Sequence, residues 1–240
     1  MSYRLTRARK EFETQVDAIV REIRPLYTHG LATGTGVGSR LLAAHYVLAF
    51  AQLEVYIKSL VEDSLSAFTS ANPPFDRWPD TMMAYLLHKG GNLGGDYRRF
   101  EIGDDEGAIL AKLANVARRI ASWGGSGSLP TAIKASEFLD KKKYPSPANL
   151  PQLFRRLGVP HIWAIVSRAG KMNSEMILTS LNDLRTGIAH EGRVPTGFGL
   201  VDFLDRIKQM RRFVAAVDRG VSTHFCPAVM PRATWNSAMM

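Results

Sequence analysis

A single cysteine, Cys226, stands in 240 residues. An intrachain disulfide is therefore impossible, and a reducing compartment is expected. No catalytic context surrounds the thiol, so it reads as buried or incidental. The N-terminal stretch MSYRLTRARKEFE lacks an apolar signal region. The most apolar run, LLAAHYVLAFAQLEVYI, is interrupted by His45, Gln52 and Glu54, which suits a buried helix better than a membrane span. A cytoplasmic protein without membrane contact is the expectation. Strand-like alternation and internal repeats are also missing. So is a cluster of histidines and carboxylates at metal-ligand spacing, and neither metal nor cofactor is expected. The four tryptophans are scattered and form no stacking platform.

What the chain does have is positive charge. Its 31 lysines and arginines outnumber 22 acidic residues, for a net charge of +9. An excess of this kind favours a polyanionic partner over mere solubility. Hydrophobic residues make up 45%, and the length allows one domain with a sizeable core.

Apolar positions at helical spacing predict an all-α fold. A first helix covers Arg9 to Arg24, with Phe12, Val16, Ile19, Val20 and Ile23 on its apolar face and Pro25 ending it. The glycine-rich HGLATGTGVGSR follows. A phosphate loop of the form GxxxxGK[ST] needs a lysine where Ser39 and Arg40 stand, and a dinucleotide fingerprint needs a preceding strand. The expectation is a flexible loop with Ser39 as helix N-cap. A long helix then runs from about Ser39 to Ser70. Further helices are predicted over Asp105–Trp123, Pro151–Leu157, Asn173–His190 and Phe198–Val221, with the tail from Phe225 extended or disordered. Residues 71–170 have shorter segments and longer loops, and read as an insertion or cap within one domain spanning 1–240. His45 and His88 read as packed or exposed helix residues, and His161 as a helix-start residue. The run Lys141 to Lys143 reads as solvated, with a place on an RNA track as its sharper alternative.

One segment carries chemistry: SLNDLRTGIAHEG, Ser180 to Gly192. Ile177, Leu181, Leu184 and Ile188 are spaced four, three, four and mark a core stripe. Arg185 lies about 70° from its centre, and Asn182, Thr186 and His190 follow at intervals of four as a polar strip. In an ideal helix Arg185 and His190 project about 140° apart. Gly187 permits local distortion, and Gly192 is a natural helix stop. A fraying end, or a two-fold dimer burying this strip, could aim both groups at one phosphate. RNA brings its own nucleophile, the 2′-OH. Histidine can move protons near neutrality, and arginine offers a permanent charge and a planar fork to phosphate. A last-turn histidine is equally a common partner of the helix dipole, so spacing alone leaves both readings open.

The segment ILTSLNDLRTGIAHEG resembles the RxxxxH signature of the HEPN superfamily. AQLEVYIKSLVEDSL resembles the long second helix of these domains, and VDFLDRIKQMRRFVAAVDRGVSTHF their final helix, most closely in the RiboL-PSP type. The resemblance covers roughly the first and last 70 residues and leaves the middle third unexplained. It implies an antiparallel helical bundle, usually dimeric, with two signatures meeting at the interface. It further implies a metal-independent endoribonuclease, leaving 2′,3′-cyclic phosphate and 5′-hydroxyl ends, in a toxin–antitoxin or antiviral setting with an antitoxin or defence-system partner protein. In that frame His190 is the general acid/base and Arg185 holds the scissile phosphate. Asn182 and Glu54 are candidates to orient Arg185. The residue after the arginine is often asparagine, histidine or aspartate, and here it is Thr186, whose hydroxyl can donate to phosphate but has a shorter reach. The alternative is a non-catalytic member that binds RNA or a partner protein through the same surface.

Overall fold

The computed structural model describes residues 2–28, 36–74, 77–86, 133–139 and 145–240. The helices are α1 (Arg7–Thr28), α2 (Gly36–Ala71), α3 (Ala135–Phe138), α4 (Asn149–Arg156), α5 (Ile162–Gly170), α6 (Ser174–Glu191), α7 (Leu200–Val229) and α8 (Arg232–Ala238). A further helical stretch occupies 80–86. Among the described residues there is no strand, and the fold is all-α.

Side-chain contacts set the direction of each helix. Arg7 pairs with Asp63, Phe12 packs on Tyr56, and His45 lies 3.9 Å from Glu22, so α1 and α2 run antiparallel. Asp218 receives Thr6, while Arg211 reaches Asp17, so α7 also opposes α1. Gly170 abuts Ala216 and Gly220 abuts Ile165, so α5 opposes α7. Arg206, six residues into α7, then reaches Ser180 on α6, which opposes α7 as well. The result is a bundle in which α1 and α6 flank the α2–α7 pair. One end of it gathers the C-terminal ends of α1 and α6 and the N-terminal ends of α2 and α7. The RxxxxH segment lies at that end.

The core is continuous. Phe12, Tyr56, Phe68, Phe213 and Phe225 are almost wholly buried within it. The shorter elements share it: Phe154 from α4, Val166 from α5 and Met82 from the 80–86 stretch are all fully buried. Gly158 explains one close approach, since its φ is +85° and an added Cβ would fall 2.2 Å from the Pro79 ring.

Several helix ends differ from expectation. Helix α1 continues past Pro25 to Thr28; Pro25 is exposed, so the missing N–H bond faces water. Helix α2 starts at Gly36, a turn before Ser39, because Gly38 already packs in the core; Ser39 is therefore not its cap. Helix α7 starts at Leu200, where the Gly199 N–H donates to Asp202 Oδ2 at 2.9 Å. It runs eight residues beyond Val221 and through Pro227, because Phe225, Cys226 and Val229 prolong its buried stripe. The tail is ordered. Trp235 of α8 is fully buried, its indole N–H donates to the Arg4 carbonyl at 3.3 Å, and Lys10 Nζ donates to the Met239 carbonyl at 2.9 Å. The expected helix at 105–123, His88, Lys141 to Lys143 and residues 29–35 of the glycine loop lie outside the described residues.

Candidate functional site

Helix α6 is capped at both ends. Asn173 Oδ1 accepts the Met176 N–H at 3.1 Å, and the Gly192 N–H closes on the Ile188 carbonyl at 2.8 Å with Gly192 at φ +68°. Its buried residues are Ser174, Leu178, Leu181 and Ile188. Steps of four, three and seven leave one position of that stripe to fill, and the residue there is Arg185. The sequence pattern put Ile177 and Leu184 at the centre of the stripe. The structure rotates the helix so that these two are half-buried and Leu178 is fully buried. Arg185 thereby moves from beside the stripe onto it. It is half-buried and, among the described residues, has no hydrogen bond or ion pair. A guanidinium held there keeps all its donors for an anion from outside.

His190 lies in the last turn, exposed, and about 140° around the helix and about 7.5 Å along it from Arg185. Thr186 and Asn182 lie between them, both half-buried. One regular α6 thus presents arginine and histidine on different faces.

Two contacts hold the turn that carries Arg185. The Tyr46 hydroxyl of α2 donates to the Leu181 carbonyl at 2.8 Å. That carbonyl is the one the Arg185 N–H meets in an α-helix. From the other flank Arg206 Nη1 donates to Ser180 Oγ at 3.0 Å, and to Gln209 Oε1. Burial pushes the Tyr46 hydroxyl well above its ordinary pKa, against a smaller pull from Arg206, so it stays a donor. Sequence reasoning missed both residues. The available signal was a tyrosine hydroxyl in an otherwise apolar stretch, which must find a partner when buried.

The Tyr46–Leu181 contact also places Glu54. With α2 and α6 antiparallel, Glu54 lies about 12 Å from that contact towards the far end and Arg185 about 6 Å towards the near end. Within one chain they stand about 18 Å apart along the bundle axis. The partner of Glu54 is Lys58, at 2.9 Å. The structure therefore brings Asn182 and Thr186 together with Arg185 and does not bring Glu54. Cys226 is buried and its thiol is pushed up in pKa by burial, which makes it inert. His161 sits in the left-handed region at φ +56°, just before α5. Among the described residues no group of three His, Cys, Asp or Glu side chains could hold a metal ion, and no helix is long and apolar enough to cross a membrane.

The outer face of α2 completes the surroundings. Ala44, Leu48, Ala51 and Val55, spaced four, three, four, are exposed, with Val47 beside them. Leu48 and Val55 are 50% and 48% exposed, on a helix whose opposite side forms the core. A helix apolar on both sides needs cover on both.

A family model described as RiboL-PSP-HEPN matches residues 4–223. The matched span runs through the middle third and stops inside α7, before α8. No curated protein and no solved structure matches the chain.

Proposed function

Since the chain belongs to the RiboL-PSP-HEPN family, we propose that it is a metal-independent endoribonuclease acting as a two-fold dimer. The observation that carries this reading is Arg185: a cation on the buried stripe of α6, without a partner among the described residues, five residues before a histidine at the helix end. An unpaired half-buried arginine is costly unless it serves something. In the reaction the 2′-OH of the RNA attacks the adjacent phosphorus, the 2′-O–P bond forms and the P–O5′ bond breaks. His190 of one copy takes the 2′-OH proton, and His190 of the other gives a proton to the departing 5′-oxygen. Arg185, with Thr186, binds the charge that builds on the phosphoryl oxygens. The products are a 2′,3′-cyclic phosphate and a 5′-hydroxyl. Two copies supply the second histidine and relieve the 140° separation within each helix. The apolar outer stripe of α2 supports this pairing. Asn182 keeps the Arg185 flank polar, and Glu54 can act only across the dimer.

An RNase free in a cell needs restraint, so we infer a toxin or antiviral effector in the cytoplasm, held in check by a partner protein. The test is RNA cleavage in EDTA by the unaltered protein, Arg185→Ala and His190→Ala, with the product ends identified. Cyclic-phosphate ends are expected, with a loss of about 10²–10⁴-fold on removing His190. A second reading, a non-catalytic RNA- or protein-binding member, is favoured by Thr186 in place of a larger polar group. Absence of cleavage in tRNA, mRNA and rRNA alike would transfer the conclusion to it.

A further inference from the structure

The α1–α7 face carries a basic groove that the RxxxxH segment does not use. It encloses about 720 Å³ between the C-terminal half of α1 and the N-terminal half of α7. Arg21, Arg24, Lys208 and Arg211 line it against two carboxylates, Asp17 and Asp205. Arg211 is spent on holding the helices together, with its guanidinium on Asp17 and 3.6 Å from Glu13. Among the described residues Arg21 bonds only the Asp17 backbone carbonyl, at 3.3 Å, and no carboxylate pairs with its charge. Lys208 is exposed and, among the described residues, has no hydrogen bond or ion pair. Uncountered cations therefore stand on both walls.

The floor argues against a protein helix as occupant. A docked helix needs exposed apolar anchors in the groove. Ile207 is 3% exposed, Val20 and Leu204 are half-buried, and none of the large exposed hydrophobic residues lies there. What the groove offers is charge along a channel, which is the complement of a phosphodiester backbone.

Its position fits the same substrate. Asp17 to Arg24 and Leu204 to Arg211 lie towards the end of the bundle where α6 ends with His190. Two helix spacings, on the order of 15–20 Å, separate the groove from α6. We propose that this groove is a secondary RNA site that binds the backbone of the strand several nucleotides from the scissile phosphate, with Arg21 and Lys208 as its phosphate contacts. This rests on the ribonuclease reading for its substrate and adds a place where a long RNA is held.

The test separates the two ideas. Binding of a labelled single-stranded RNA of about twenty nucleotides to the His190→Ala protein is followed across a salt series, without cleavage. The double variant Arg21→Gln/Lys208→Gln is expected to bind roughly tenfold more weakly. Its slope of log affinity against log salt should shrink by about 1.4, at about 0.7 per lost contact. The pair Arg155→Gln/Arg168→Gln, exposed cations away from the groove, should bind as the parent does. Equal loss in both pairs, no loss in the groove pair, or no RNA binding at all overturns the groove. Cleavage with an unaffected groove pair sinks the groove and spares the nuclease. Groove-dependent binding without any cleavage does the reverse.

Discussion

Gly187 sits two residues after Arg185 and three before His190, mid-helix and exposed. A Cβ placed there meets nothing within 4 Å. Alanine should therefore stiffen α6 and stabilise the fold by about 0.5–1 kcal/mol. If two copies assemble the site from regular helices, Gly187→Ala raises Tm and leaves cleavage within about twofold. A large drop in kcat with a raised Tm would place the site in one distorted helix and remove the need for a second copy. At this scale the sequence was partly legible. The spacing of Arg185 and His190 was visible, and so was Gly192 as the stop. The phase of the stripe was not. Apolar residues at 177, 178, 181, 184 and 188 allow two rotations of α6, and only packing between α2 and α7 chooses the one that seats Arg185 inward.

Three elements meet around a buried acid. Asp218 of α7 accepts the Thr6 N–H and hydroxyl, with Arg9 of α1 at 3.8 Å, and Asp63 of α2 accepts the Ala8 N–H at 2.9 Å. Burial raises the pKa of Asp218, more than Thr6 and Arg9 lower it. Its folded pKa thus lies above its unfolded one. The stability this provides is full below the ordinary carboxylate range and is lost as pH rises through the folded value. Asp218→Asn keeps the shape and removes the titration. Relative to that variant, the parent should gain Tm as pH falls from about 7 towards 4. A difference that stays constant with pH would show that burial does not dominate. Helix boundaries were the least legible part at this scale. Pro25 and Pro227 are strong stop signals, yet both helices continue because the core continues beneath them. Helix α8 escaped notice because seven residues with one anchoring tryptophan carry no periodicity.

For the whole molecule, the all-α architecture followed from periodicity alone, since four long helices each carry an apolar face. Their relative order did not follow, because direction and register depend on contacts such as Tyr46 with Leu181 that no local pattern encodes. The groove on α1 and α7 was hidden for the same reason: its cations come from opposite ends of the chain. The outer stripe of α2 bears on assembly. Leu48→Glu, at a half-exposed position away from the core, should leave the helical circular dichroism signal intact, give a monomer by sedimentation, and lower RNA cleavage by about 10² or more. A monomer that cuts RNA as well as the parent would sink the dimeric site.

The strap formed by Arg4, Lys10, Trp235 and Met239 has a practical side. It ties both chain termini to the end of the bundle remote from His190, roughly 40–50 Å away at 1.5 Å per helical residue. An affinity handle or reporter domain on either terminus would hang clear of the pole that carries His190. The same closeness of the two ends makes them joinable by a short linker, so that new openings could be cut in the chain elsewhere without unthreading the bundle.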